Sequence, residues 1–232
     1  MTPRPLVLFD IDGTLVRRAG PHHREALVHA VRKVTGLETT TEGVPVHGML
    51  DPDILTVMMR RGGASRRLIR ESLPAIYRSA EAWYLRHAPD LRRKTCPGVR
   101  AALARLARRD AVLGLVTGNL TRIGWRKLDR AGLREWFRFG AFGEMAADRS
   151  GLARLAVREA RRRGWIDGAS PVALVGDAPS DVLAARANRI RAIAVHTGIS
   201  TAEELRALGP DILLADLGEL RLEMVTKPGI KT

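Results

Sequence analysis

Short unbroken apolar runs that stop at polar residues recur along this chain: Leu6-Val7-Leu8-Phe9 before Asp10, Val112-Leu113-Gly114-Leu115-Val116 before Thr117, and Val172-Ala173-Leu174-Val175 before Gly176-Asp177. None of them alternates, which is the pattern of parallel strands covered on both faces. Weaker runs at Phe137-Arg138-Phe139, Ile190 to Val195 and Ile212 to Leu214 are read as further short strands. Between these runs the pattern is helical. Helices are predicted around Glu25 to Val31, ending near Gly36, over Asp51 to Arg61, and over Ser65 to His87 with an interruption near Pro74. Further helices are predicted from Pro97 through Arg109, over Thr121 to Ala131 and Ser150 to Arg163, after Asp177 through Arg186, over Ala202 to Leu208, and once more at the end. Leu37 to Pro45 reads as a connection, and no strand-like run occurs between Gly20 and about Arg93.

Strands alternating with helices imply βαβ units and a Rossmann-like parallel sheet with helices on both faces, an α/β fold. Residues 19–93 are then a helical insertion after the first strand, dividing the chain into 1–18 and 94–232 on one side and 19–93 on the other. The tail from Thr226 is expected to fray.

Composition adjusts this picture only slightly. The apolar share is 45% but the aromatic share is 4%, so aliphatic residues and alanine must fill the core. The formal net charge is +14, which invites a nucleic-acid reading. The basic residues are nevertheless spread along the chain and nearly all arginine, without aromatic residues interleaved for base stacking, so nucleic acid is not the expected partner. Cys96 is the single cysteine, which rules out an intrachain disulfide and suggests a reducing compartment. The start of the chain lacks an apolar signal region and no run approaches a membrane span, so a soluble cytoplasmic protein is expected, monomer or homodimer.

The chemistry gathers at the strand ends. Ligands of open α/β sheets bind outside the carboxyl ends of the strands. There the first strand offers Asp10 and Asp12, with Gly13 and Thr14 behind them, the second Thr117, Gly118 and Asn119, and the third Asp177. Any one carboxylate could be a helix cap, but three strand ends together point to a site. Asp10, Asp12 and Asp177 in one crevice require a positive charge between them, and a hard divalent ion such as Mg²⁺ suits oxygen ligands while leaving room for a phosphate. Thr117 and the amides near Gly118, at the start of a helix, suit phosphate oxygens. This is the outline of a phosphoryl-transfer site.

Asp10-Ile11-Asp12-Gly13-Thr14, Thr117 at the end of its strand, and Gly176-Asp177-Ala178-Pro179-Ser180-Asp181 resemble three of the four motifs of the haloacid dehalogenase superfamily. The helical insertion after the first motif is similar to the small cap domain of its phosphoglycolate phosphatase-like members. The resemblance implies a Mg²⁺-dependent phosphatase acting on a small phosphorylated metabolite. In it Asp10 is the nucleophile that forms an aspartyl-phosphate, and Asp12 is the general acid and base. Asp10, the carbonyl of Asp12 and Asp177 hold the metal, and Asp181 orients that apparatus. A phosphomutase of the β-phosphoglucomutase kind would share these motifs. A catalytically weak phosphate-binding or nucleic-acid-associated protein is the alternative of another class. Asp12 speaks against the dehalogenase branch, which lacks an acid there.

The family also needs a cation, usually lysine, before the third strand, and none lies between Phe139 and Gly164. Arg149 is the candidate, with Lys127 second because a mid-helix lysine is more often solvated. Ala178 stands where relatives often carry a small hydroxyl residue. His47-Gly48-Met49-Leu50-Asp51 resembles the cap segment that enters the site, making His47 and Gly48 substrate candidates, though an ordinary loop before a helix would read the same. The arginines at 60, 61, 66, 67 and 70 could steer an anion or simply be solvated. The six histidines show no metal spacing and are read as structural or exposed, and Trp83, Trp125, Trp136 and Trp165 as core or interface residues.

Overall fold

The computed structural model describes residues 3–17 and 19–226. Six strands, β1 (Leu6–Phe9), β2 (Val112–Val116), β3 (Phe139–Ala141), β4 (Val172–Gly176), β5 (Arg191–Val195) and β6 (Ile212–Leu214), form one sheet in the order β3-β2-β1-β4-β5-β6. Every neighbouring pair is parallel. The unbroken apolar runs follow from this. Val7 and Phe9 face a cluster built with Val99, Leu103 and Leu106 of α4 (Val99–Arg108) and Leu128 of α5 (Thr121–Ala131). Leu6 and Leu8 face the opposite cluster, built with Leu152 and Ala156 of α6 (Arg149–Arg162) and Val182 and Ala185 of α7 (Pro179–Ala187). A strand covered on both faces has no polar side to display.

Register sets the site. Phe9 lies opposite Leu115 on β2 and Val175 on β4, so the residues after the three strands emerge together at one sheet edge. Beyond β1 the chain makes a tight turn, with Gly13 N donating to Val16 O, and then runs beside the returning segment through Arg17 N to Lys94 O and Cys96 N to Leu15 O.

Between these crossing strands lie α1 (His22–Thr35), α2 (Asp51–Arg61) and α3 (Arg66–His87). No strand occurs among the described residues there, as the pattern predicts. Leu27, Val31, Leu55, Met58, Ile76 and Tyr84 form a separate apolar cluster that also takes Leu120 and Ile123 at the start of α5. Two further helices, α8 (Ala202–Ala207) and α9 (Glu223–Thr226), flank β6 in sequence. Among the described residues no helix is long and apolar enough to cross a membrane.

Two expectations are corrected. α3 is not interrupted: Pro74 sits inside it, and the buried Ile69 before it and Ile76, Ala80 and Tyr84 after it hold both halves in one cluster. Packing of that length outweighs one missing backbone donor and the ring's clash. The third strand in sequence is shifted by two residues. Phe137 closes a single 3₁₀ turn over Arg134–Trp136 and packs edge-on against Phe9 at 6.0 Å, while pairing with β2 begins at Phe139. The Phe-x-Phe alternation gave the stronger signal, and Gly140 conceals the strand. Of the tail expected to fray, Thr226 closes α9, and Lys227 onward lies outside the described residues.

Candidate active site

Asp10 leaves β1 4% exposed, its backbone N–H held by Val175 O at 3.0 Å. One guanidinium nitrogen of Arg149 donates to Asp10 Oδ1 at 3.0 Å, to Asp181 Oδ1 at 2.8 Å and to Val116 O at 3.4 Å. Arg149 is the first residue of α6, whose cap Asp148 accepts from Gly151 N at 2.7 Å, so the helix start fixes where the side chain enters. It is 7% exposed, which removes the surface-arginine reading. Burial works against its charge, but Asp181 and Asp10 outweigh that and raise its pKa above the ordinary value.

Asp177, just past β4, accepts from Thr14 Oγ1 at 2.9 Å through Oδ1, while its Oδ2 is buried and has no hydrogen-bond partner among the described residues. Gly13 (φ +86°) and Gly198 press on this carboxylate: a Cβ on either would overlap it. Asp10, Asp177 and Asp181 bring one oxygen each within 4.8 Å of one another. Burial, with repulsion from Asp10 and Asp181, pushes Asp177 up to about 8, and burial pushes Asp181 up to about 7 against the pull of Arg149. One guanidinium therefore does not balance three carboxylates. Oxygen-only donors and an orphaned buried oxygen fit a hard divalent cation. Asp181 stands closer to that position than its expected orienting role required.

A second cluster surrounds Asp12, whose side chain is 44% exposed. Lys127 Nζ donates to its two oxygens at 2.7 and 2.6 Å and to Asn119 Oδ1 at 2.6 Å, and Asn119 Nδ2 donates to Asp12 Oδ2 at 2.7 Å. Desolvation opposes ionisation of Asp12, but the charge of Lys127 and the hydrogen bonds from Lys127 and Asn119 outweigh it and hold the carboxyl below its ordinary range. Lys127 is 1% exposed, so the expectation of a solvated mid-helix lysine is wrong: its position on α5 faces the strand ends. Both candidate cations reach the site, each on a different aspartate.

The phosphate-binding candidates are brought together more narrowly than expected. Thr117 is buried, and its Oγ1 accepts from Asn119 Nδ2 at 2.7 Å. At the start of α5, Leu120 N is taken by Asp51 Oδ2 at 2.8 Å and Thr121 N by Glu144 Oε1 at 3.0 Å. Those two amides are engaged by carboxylates, while Thr117 and Gly118 line the cavity.

The insertion completes the walls. His47 Nε2 lies 2.9 Å from Ser200 Oγ and 3.9 Å from Asp177 Oδ2, and burial lowers its pKa. Gly48 O accepts from Ser180 Oγ at 3.2 Å, and the backbone of Gly48 passes over Ala178 and Ser180, so a larger residue at 178 would crowd the segment. His47, Gly48 and Met49 line the same cavity as Asp10 and Asp177. A cavity of about 940 Å³ runs between the sheet edge and α1–α2. None of the arginines at 60, 61, 66, 67 and 70 lines it. His23, which no motif singled out, and Asp51, which closes the cap motif without being named a candidate, do: His23 Nε2 lies 2.9 Å from Asp51 Oδ2 and His23 Nδ1 3.1 Å from Lys127 Nζ. Reading all six histidines as structural or exposed therefore missed His23, and adjacency to His22 concealed it. The tryptophans pack as expected, Trp125 against Phe142 and Trp165 against Phe139.

A family model for haloacid dehalogenase-like hydrolases matches residues 5–188. The chain belongs to that family. Within it the chain is phosphoglycolate phosphatase-like in sequence. It is 28% identical to the phosphoglycolate phosphatase of Agrobacterium fabrum over 225 residues, 95% of this chain and 93% of that one. To the phosphoglycolate phosphatase of Synechococcus elongatus it is 36% identical over 132 residues, 56% of this chain, and the match spans 59% of that enzyme's length. Solved structures with the same fold include CbbY from Rhodobacter sphaeroides in complex with phosphate (TM-score 0.71, 22% identity, 97% of this chain and 100% of that one). They also include β-phosphoglucomutase from Clostridium difficile (TM-score 0.69, 16% identity, 95% and 94%).

Proposed function

We propose that this haloacid dehalogenase-like hydrolase cleaves a small phosphorylated metabolite, of the phosphoglycolate or sugar-phosphate class, through an aspartyl-phosphate on Asp10. The observation that carries the reading is the division of the four acids. Asp10 and Asp181 share Arg149, Asp177 keeps an unpartnered oxygen beside them, and Asp12 stands apart on Lys127.

Asp10 attacks the phosphorus, and the bond from phosphorus to the leaving oxygen breaks as that oxygen takes a proton from Asp12. A water then attacks the acyl-phosphate, Asp12 takes the water's proton, and inorganic phosphate leaves Asp10 free. The Lys127 contact favours the carboxylate of Asp12, the form needed for the water step, and a phosphate dianion beside it raises its proton affinity for the leaving-group step. Arg149 holds Asp10 in position and lends positive charge, and Thr117 and Gly118 bind phosphoryl oxygens, with Gly13, Thr14 and Asn119 shaping that wall. Mg²⁺, held by Asp10 and Asp177 with Asp181 in reach and the Asp12 carbonyl as a further ligand, supplies charge neutralisation when bound.

We read residues 1–18 and 94–232 as the catalytic core and 19–93 as a cap that excludes water and selects the leaving group through His47 and Gly48. The separate apolar cluster of α1–α3 and the crossing at Arg17 and Lys94 support that division.

Release of inorganic phosphate from phosphoglycolate, sugar phosphates, nucleotides and pyrophosphate, with and without a chelator, tests the proposal. Asp10→Asn and chelation are expected to abolish release. Unchanged activity in either would overturn the mechanism. The phosphomutase reading is favoured by the fold shared with β-phosphoglucomutase. Phosphoryl transfer to a hexose faster than to water would establish it.

A further inference from the structure

The contacts of Lys127 have a direction that reaches beyond Asp12. An ammonium has three donors and no acceptor. Its neighbours are both Asp12 oxygens, Asn119 Oδ1 and His23 Nδ1, and each of them must accept, because the ammonium can only donate. His23 Nδ1 must therefore be the unprotonated ring nitrogen, and the ring proton lies on Nε2, where it donates to Asp51 Oδ2 at 2.9 Å. The same Asp51 oxygen accepts from Leu120 N at 2.8 Å, and Asp51 N donates to Gly118 O at 2.8 Å. Asp51 is 2% exposed, and the His23 ring stands edge-on to the buried Tyr84 at 6.0 Å, so neither the carboxylate nor the ring plane is free to turn.

We propose that His23 is a positioning residue that seats Lys127 on Asp12, with Asp51 fixing its tautomer. Proton delivery to the leaving group is then complete only while the helical insertion rests on the sheet edge. His23 and Asp51 belong to α1 and α2, whereas Asp12, Asn119 and Lys127 belong to the strand ends and α5. Withdrawal of α1 would remove one of the ammonium's four acceptor atoms and loosen its hold on Asp12. The proposal rests on the reading of Asp12 as proton donor to the leaving oxygen.

Two substitutions separate the halves of the contact. In His23→Asn the amide oxygen can take the place of Nδ1 toward Lys127 while the reach to Asp51 is lost. In His23→Gln the amide reaches Asp51 while the acceptor beside Lys127 is lost. Each is assayed as kcat/KM on an alkyl phosphate, whose leaving alkoxide needs a proton, and on 4-nitrophenyl phosphate, whose leaving group does not. His23→Gln is expected to lose roughly tenfold or more on the alkyl ester and under about threefold on the aryl ester, with His23→Asn keeping most alkyl activity. Equal losses on both esters, or an unaffected His23→Gln, would overturn it. The ¹⁵N spectrum of the His23 ring in the unsubstituted protein gives a readout that needs no turnover. The Nε2–H tautomer is expected, and the Nδ1–H tautomer refutes the inference. An unsubstituted protein that hydrolyses neither ester counts against the phosphatase reading instead, and the tautomer then decides the inference alone.

Discussion

Among the described residues Arg149 is the guanidinium hydrogen-bonded to Asp10 and Asp181, with Asp177 beside them, and the energetics of the site turn on it. Breaking a buried pair by removing one partner leaves the other charge uncompensated, at a cost of about 3–5 kcal/mol. Arg149→Met is therefore expected to lower stability by about that amount without metal, and to recover part of it on adding Mg²⁺, because the acids are then neutralised by another route. Thermal melts of both proteins with and without the ion check this; an equal metal-induced shift in the two would contradict it. The acids also fix a pH dependence. Asp177 and Asp181 hold their protons in the folded chain up to about 8 and about 7, against ordinary values of 3.8. The folded state thus binds more protons than the unfolded one across that window, and stability falls as pH rises through it. Between about pH 5 and about pH 8, above the ordinary values and below the folded ones, the metal-free protein is expected to lose melting temperature, roughly 2–4 °C for each kcal/mol, and saturating Mg²⁺ to flatten the decline. A metal-free melting temperature that rises over that interval would exclude this account.

Elements carry these residues to one place, and here the sequence was informative to different depths. The bounds of β1 residues Leu6 to Phe9, of β2, of α2 and of α5 were legible because each is an apolar run or helical period closed by a polar or glycine stop. Convergence of Asp10, Thr117 and Asp177 was legible for the same reason, since parallel strands share an edge. His23 and Asp51 were not. They lie 28 residues apart on two helices of the insertion, and only the packing of α1 against α2 makes them partners. Lys127 was misjudged on residue type: Ile123, Gly124, Leu128 and Ala131 share its buried face of α5, so the period marked the position as inward, and the charge is met there by Asp12, Asn119 and His23. The loop after β5 adds a constraint that sequence conceals as well. Gly198 approaches Asp177 so closely that a methyl group would overlap its carboxylate, while nothing lies within 4 Å of a Cβ at Gly168. Gly198→Ala is expected to displace Asp177 and weaken Mg²⁺ activation roughly 10–100-fold with the fold kept, and Gly168→Ala to change nothing. Identical Mg²⁺ titrations for both would refute the role given to Asp177.

Across the whole molecule the formal charge of +14 acts as a field rather than as a binding feature. The arginines of α2 and α3 that could have steered substrate lie off the cavity, and two of them are engaged locally. Arg61 donates to Glu42 O and Gly43 O, and Arg67 pairs with Glu71 at 2.9 Å. A charge near a cavity mouth acts on a dianion individually, but charges farther away act as a sum, screened over about 8 Å at physiological ionic strength. If the sum governs encounter, kcat/KM for a phosphate dianion should fall smoothly as salt is raised, and removing Arg66 or Arg70 singly should leave that slope within error. If instead these helices hold a steering patch, Arg66→Ala and Arg70→Ala together should flatten the slope well beyond the loss of two charges in thirty-nine basic residues. The distances favour the first outcome, since the positive groups that face Asp10 and Asp12 are Arg149 and Lys127, both buried and little screened by salt. Attraction in the last few ångströms is then set by groups that salt scarcely reaches, and kcat is expected to stay constant over the range in which kcat/KM declines.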